Sequence, residues 1–374
     1  MRKFFSSPEK KADIIFMAVV FLLLIFGLVI LSSAGVVLAK TRFGDEYYFF
    51  KRQLFRGVLP GIFLLAVVSR VHFSFWKKIA LPFFVIALFF LFLVFLPGVG
   101  IRLQGASRWV DLGFFSFQPT EMMKLALIIY LSLWIANRKE KIKEVKEGFL
   151  PFAAIFSLVA LLVIKQPDIG TLGSITFFSL AMFFLSGSSL RHLALMIFIG
   201  IMSVFVLIKL EPYRMNRLLT FLNPQHDVLG VGYQINQARL AIGAGGMWGL
   251  GLGYSRQKFN YLPEPVGDSI FAIIAEETGL VGASAVIILF LLLALRGYKI
   301  ARLAPDFFSQ LLVAGIVSWI IFQALINIMA IVGLIPLTGV PLPFISFGST
   351  SLVFLLIGVG IILNVSRYSR LKKR

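Results

Sequence analysis

The chain has 374 residues, of which 59% are hydrophobic and only 14% charged; an ordinary soluble domain carries about 25% charge, so a simple soluble enzyme, a disordered chain and a fibrous repeat are excluded. Lys and Arg number 36 against 17 Asp and Glu, a net charge of +19, yet 40 Phe residues fall in apolar runs of membrane length, so no nucleic-acid partner is expected. There is no cysteine, which excludes disulfides, thiolate metal sites and a Cys nucleophile, and the three histidines (His72, His192, His226) are scattered.

A helix needs about 20 apolar residues to cross a bilayer core. Such runs predict an all-α polytopic membrane protein with ten spans, at 13–34, 56–71, 78–97, 119–137, 150–166, 170–187, 191–209, 268–295, 309–333 and 347–365, in one integral domain over 1–374. The first run is too long for a signal-peptide core and is read as a span. Ten spans place both termini (1–12 and 366–374) on one side. The segments on that side hold most of the basic residues, including Arg138, Lys139, Lys141, Lys143 and Lys146 in one short loop. The positive-inside rule therefore puts both termini in the cytoplasm. Lys40, Arg42, Lys51, Arg52 and Arg56 run against that rule in the first outer loop. The outer side then carries an irregular segment at 98–118, a long loop at 210–267 and a Pro-rich segment at 334–346. Neither GxGxxG nor GxxxxGK[ST] occurs, so no ATP-driven machine is expected.

Five segments concentrate the polar residues. In GASRWVDLGFFSFQPTEMMKLALII (105–129), Gly105, Gly113 and Pro119 punctuate a non-helical approach to the fourth span. Pro119 suits a first helical turn, and Glu121 and Lys124, three apart, share a face. That pair is either a first-turn ion pair at the surface or a charged couple facing a cavity. Arg108 beside Trp109 suits a phosphate at the interface and equally an interfacial anchor. In KQPDIGT (165–171), Asp168 is a turn residue or a second carboxylate. The long loop mixes Arg214, Arg217, Arg239, Arg256 and Lys258, suited to phosphate, with Tyr233, Trp248, Phe259 and Tyr261, suited to sugars or headgroups. Its glycine run at 243–253 permits close backbone approach to a ligand. Asp268 stands where that loop meets the eighth span, as an N-cap or a general base whose pKa poor solvation raises. Glu276 and Glu277 lie two turns further in, where they need a cation from another span, a proton or a polar cavity. In GLIPLTGVPLPFISFGSTSL (333–352), three prolines and Gly339 forbid a helix. Such backbone survives at membrane depth only inside protein or along a cavity, so a re-entrant or capping element is expected, with Thr338, Ser346 and Ser349 offering hydroxyls.

Taken in order, GASRW with FQPTEMMKLA, NPQHDVLGVGYQINQARLAIGAGGMWGLGLGYSRQKFNYLPE, GDSIFAIIAEETGLVG and GLIPLTGVPLPFISFGSTSL resemble the SEDS proteins (shape, elongation, division and sporulation) of bacterial cell-wall synthesis, over nearly the whole chain. SRQKFNYLPEP is nearer to the division and sporulation members than to the elongation member. The resemblance implies a GT-C-like membrane glycosyltransferase that polymerises lipid II at the outer face of the bacterial cytoplasmic membrane. It also implies undecaprenyl lipids as ligands, and a class B penicillin-binding protein and other divisome or elongasome membrane proteins as partners. The family's essential loop Asp falls on Asp268, its fourth-helix Glu and Lys on Glu121 and Lys124, and its Arg-Trp motif on Arg108 and Trp109. Two departures stand out. Gly267-Asp268-Ser269 replaces the usual Thr-Asp-Phe, and Phe347-Gly348-Ser349 the usual Tyr-Gly-Gly.

On this expectation Asp268 takes the proton of a sugar hydroxyl, and Arg108, Lys124, Arg217 and Arg239 hold the departing pyrophosphate. No cofactor is assigned. A divalent cation (Mg or Mn) is compatible with the chemistry, though no dedicated ligand set stands out. The competing readings are a flippase for the same lipid, served by broken helices exposed alternately to both faces, and a non-catalytic divisome scaffold.

Overall fold

The computed structural model describes residues 11–103, 106–111, 113, 116–210, 212–223 and 230–369; the expected terminal tails, apart from 11–12 and 366–369, lie outside them, as does Gly105. Eight helices are long and apolar enough to cross a membrane. They are α1 (Ile14–Ala34), α5 (Ser74–Leu93), α6 (Pro119–Asn137), α7 (Leu150–Lys165, entered through a π turn at Val145–Phe149), α9 (Leu190–Leu210), α12 (Ile270–Arg302), α13 (Phe307–Ile331) and α14 (Ser349–Arg367). The other two expected spans are helical as well. One is α8 (Ile169–Leu185). The other, expected at 56–71, is α4 (Leu59–Val68), which a π turn at Leu54–Val58 extends backwards into α3 (Tyr48–Gln53), ahead of the expected start. Short helices fill the connections: α2 (Val36–Phe43), α10 (Pro212–Leu222) and α11 (Val231–Gly245). The chain is an all-α multi-pass membrane protein.

The segment expected to be irregular at 98–118 is instead a small antiparallel sheet of β1 (Gly100–Leu103), β2 (Ala106–Asp111) and β3 (Ser116–Phe117), in that order. Gly100 pairs with Val110, and Val110 with Phe117. Val110 and Phe117, paired across β2 and β3, bury together against Val94 at the end of α5.

Helix ends follow the local chemistry. Asp13 caps α1 by accepting from Phe16 N at 3.0 Å, and it also takes the Arg296 guanidinium. Asp306 and Ser309 form a capping box at α13. Pro119 opens α6, where its missing N–H costs nothing. Within the bundle α13 is central and packs on α6, α8, α12 and α14; α9 stands apart, with no buried residue along its span.

The Pro-rich stretch between α13 and α14 turns back into the bundle. A Cβ at Gly27 would strike the backbone of Phe344 and Ile345. Gly27 lies seven residues before the end of α1, a depth of about 10 Å at 1.5 Å per residue. Its main chain is satisfied by side chains from neighbouring elements. Gln53 Nε2 donates to Ser346 O at 3.2 Å and Gln53 Oε1 accepts from Gly348 N at 3.1 Å. Gln323 Nε2 donates to Pro341 O at 3.1 Å. Non-helical backbone at this depth is tolerated because protein replaces the missing water.

Candidate active site

A cavity of about 1430 Å³ opens among the ends of α3, α6, α8, α10, α12 and α14, the sheet and the Pro-rich stretch. Six cations line it: Arg52, Arg56, Arg108, Lys124, Arg214 and Arg217. Four carboxylates share the wall: Glu121, Asp168, Glu264 and Asp268. Thr338, Ser349, Thr350 and Ser351 add hydroxyls, while Pro60, Phe90, Val353 and Phe354 make one side apolar.

Asp268 sits two residues before α12 and does not cap it; Ser269 holds that position, without a side-chain cap bond. Its carboxylate has one weak side-chain donor, Gln234 Nε2, at 3.4 Å; the same nitrogen donates to Ser269 Oγ at 3.0 Å. Burial chiefly, and the charge of Glu264 next, push the Asp268 carboxyl up to about 6, against the hydrogen bond from its own backbone N–H, the Gln234 bond and the Arg217 charge. The loop beneath is held through its main chain. Phe347 N donates to Val266 O at 2.8 Å. Ser346 Oγ donates to Gly267 O at 2.8 Å, and Asn327 Nδ2 to Asp268 O at 2.8 Å.

Glu121 and Lys124 form a 2.8 Å ion pair with side chains 3% and 2% exposed, so the pair faces the cavity and protein rather than a membrane surface. Lys124 Nζ also donates to Gln323 Oε1 at 2.9 Å and lies 5.0 Å from the centroid of Trp319. Arg108 donates to the carbonyls of Gln166 and Pro167, which fixes it against the turn before α8. Trp109 lines the wall beside it. Asp168 caps α8, accepting from Thr171 N at 3.2 Å and Thr171 Oγ1 at 2.8 Å; it is both the turn residue and a wall carboxylate. Arg217 donates to Leu337 O at 3.2 Å.

The chain as a whole is similar to known proteins. The FtsW/RodA/SpoVE family, described as cell cycle protein, matches residues 13–371. The chain belongs to this family. It is 41% identical over 366 residues to stage V sporulation protein E of Bacillus subtilis, covering 98% of this chain and all of that one. It is 38% identical over 363 residues to a probable peptidoglycan glycosyltransferase FtsW of Geobacter sulfurreducens, covering 97% and 96%. Its fold matches a chain solved in a study of coordinated polymerization and crosslinking by a peptidoglycan synthase complex, with TM-score 0.79, 27% identity and coverage of 95% and 98%. It also matches the rod shape determining protein RodA of Thermus thermophilus, with TM-score 0.69, 25% identity and coverage of 95% and 97%.

Several residues sit elsewhere than their sequence suggests. Arg239 is exposed on α11 with its guanidinium against the backbone of Gly333, off the cavity wall. Trp248, Phe259 and Tyr261 are exposed and, like Tyr233, do not line the cavity. The glycine run approaches the chain's own α12 rather than a ligand. A Cβ at Gly245 would strike Ala275 O, and one at Gly249 would strike Glu277 O. Leu250 N and Gly251 N donate to the carbonyls of Glu276 and Glu277 at 2.9 and 3.0 Å, which the kink at Gly279 leaves free. Glu276 and Glu277 find partners in the loop and α1, not in a basic span. Glu276 accepts from Ser255 Oγ and Arg256 N, and Glu277 from Lys258 Nζ at 3.1 Å and Ser33 Oγ at 2.6 Å. Arg52 and Arg56, by contrast, enter the wall although their sequence signal was only a breach of charge topology. Arg52 donates to Tyr48 OH at 2.7 Å. Arg56 has no acceptor among the described residues.

Proposed function

We propose that this chain is a peptidoglycan glycosyltransferase that polymerises lipid II, with Asp268 as general base. The observation carrying the reading is one carboxylate, raised toward neutrality and left nearly free of side-chain donors, that opens into a cavity walled by six cations.

A sugar hydroxyl is a poor nucleophile until a positioned base takes its proton, which is worth about 10²–10⁴-fold. Asp268 takes that proton from the acceptor's hydroxyl. The oxygen forms its bond to the donor's anomeric carbon from the face opposite the leaving group, with inversion. The anomeric carbon–oxygen bond to the undecaprenyl diphosphate breaks, and the diphosphate keeps the electron pair. Arg108, Lys124 and Arg217 are pre-set by their own hydrogen bonds, so they meet the growing charge without reorganising. Arg52 and Arg56 supply further positive charge, and the apolar side of the cavity takes the start of the polyprenyl tail.

No group of three or more His, Asp or Glu among the described residues has the geometry to hold a metal ion. Glu121 is paired with Lys124, and Asp168 with Thr171. The donor set does not fit a resident metal, and the steps above use the chain's own residues.

The sidedness follows from the same reading. The cavity, the 210–267 loop and the Pro-rich stretch face outward, both termini face the cytoplasm, and the reaction runs outside the bacterial cytoplasmic membrane in division or shape maintenance. Its partner there is a class B penicillin-binding protein, since polymerization and crosslinking are coordinated in the complex whose chain this fold matches. The test is polymerisation of lipid II by purified protein in detergent, where no sidedness exists. Glycan formed by the unaltered chain and lost in Asp268→Ala and Asp268→Asn supports the enzyme. No polymer from the folded, unaltered chain with its crosslinking partner present would leave a flippase or a scaffold.

A further inference from the structure

A general base poses a structural problem. Its carboxylate must stay free to accept a proton, so strong side-chain donors cannot hold it in place. In Asp268 the one side-chain donor lies at 3.4 Å. The precision has to come through the main chain.

We infer that Asn327 is the positioning residue of this reaction, fixing Asp268 and the Pro-rich wall of the cavity to one point on α13. Asn327 is 1% exposed. Its Nδ2 donates both hydrogens, one to Asp268 O at 2.8 Å and one to Val340 O at 2.7 Å. An uncharged side chain with two N–H donors on one nitrogen is an amide. The reverse orientation would set its oxygen against two carbonyls, so the chemistry itself selects this one. Carbonyls 266, 267 and 268 thus each meet a donor: Phe347 N, Ser346 Oγ and Asn327 Nδ2. Asn327 and Ser346 hold the Pro-rich stretch as well, since Ser346 Oγ also accepts from Leu342 N at 2.8 Å. That stretch touches the acid from a second direction, because a Cβ at Gly339 would lie 3.9 Å from Asp268 Oδ2. Asp268 and the wall residues Thr338, Gly339, Val340 and Pro341 therefore move together or not at all, and α13, which is as enclosed as α6, sets where.

This inference rests on the polymerase reading, and one experiment separates the two. Asn327→Leu keeps the branched heavy-atom skeleton, with bulkier ends, and removes both donors. Ser346→Ala removes one donor from the same loop and is the milder change. Each is purified with the unaltered chain and Asp268→Ala, lipid II binding is titrated for affinity and stoichiometry, and polymerisation is measured per binding-competent molecule. A displacement on the scale of 1 Å costs about 10²-fold in rate. The expected result is lipid affinity reduced far less than turnover, since no cation is removed. Turnover per competent molecule should fall about 10²-fold in Asn327→Leu and about 10-fold in Ser346→Ala. Unchanged turnover in either variant, or turnover lost only in proportion to lipid binding in both, overturns the inference. If the unaltered chain makes no polymer even with its crosslinking partner present, the polymerase reading fails instead.

Discussion

Replacing Asp268 by Asn should make the protein inactive and more stable, and the gain should depend on pH in a defined way. The carboxyl lies near 6 in the fold against an ordinary value of 3.8. An acid whose pKa is raised by folding binds more protons folded than unfolded between those values. Its ionised form therefore destabilises the fold, fully above about pH 6 and not at all below the ordinary value. The difference is about two pKa units, so the cost above pH 6 is at most about 3 kcal/mol at 1.36 kcal/mol per unit; cavity water reaching the half-buried group reduces it. Asn has nearly the same shape, its Oδ1 still accepts from Gln234, and it never ionises. Thermal unfolding in detergent at pH 8 and pH 4 measures the effect. Asp268→Asn should melt above the unaltered protein at pH 8 and together with it at pH 4. A variant that is less stable at pH 8, or whose advantage is the same at both pH values, would refute the reasoning.

Three further outcomes follow from the same geometry. Polymerisation measured as kcat/KM should rise as pH passes through about 6, because the base works ionised; Glu264→Gln removes the neighbouring negative charge and should move that limb to lower pH, with Arg217 and Gln234 left to oppose the burial. Lys124→Met leaves the Glu121 carboxylate buried without a cation and should cost about 3–5 kcal/mol; in Glu121→Gln with Lys124→Met most of the melting temperature should return while polymerisation does not. Arg52→Ala and Arg56→Ala should each weaken lipid II binding and flatten its salt dependence, whereas Arg239→Ala, off the wall, should leave binding within about twofold.

What the sequence made legible was whatever depends on local pattern. Apolar run length located the ten helical segments, and spacing of three placed Glu121 and Lys124 on one face. The clash between prolines and helix geometry marked the stretch after α13 as backbone that needs protein around it. What escaped depends on how elements lean on one another. Arg52 and Arg56 looked like misplaced charges because nothing in a linear run says that α3 and its π turn rest against the start of α14. The glycines at 243–253 signalled a close approach without naming the partner, which is α12. Asn327 and Gln323 are single amides inside an apolar span, and their acceptors at 340–341 and 268 lie beyond any helical period. Arg239 and the loop aromatics share the composition of a binding surface but not its position.

The seam between the 245–251 glycines and α12 joins main chain to main chain, with no side chain in between. A stem made this way has no room for substitution at Gly245, Gly249 or Gly279, while Trp248 and Tyr254 at its tip stand 81% and 74% exposed. Trp248 and Tyr254 can thus be exchanged without touching the seam, whereas Ser255 and Lys258, a few residues on, tie the same segment to Glu276 and Glu277 of the helix that begins beside Asp268.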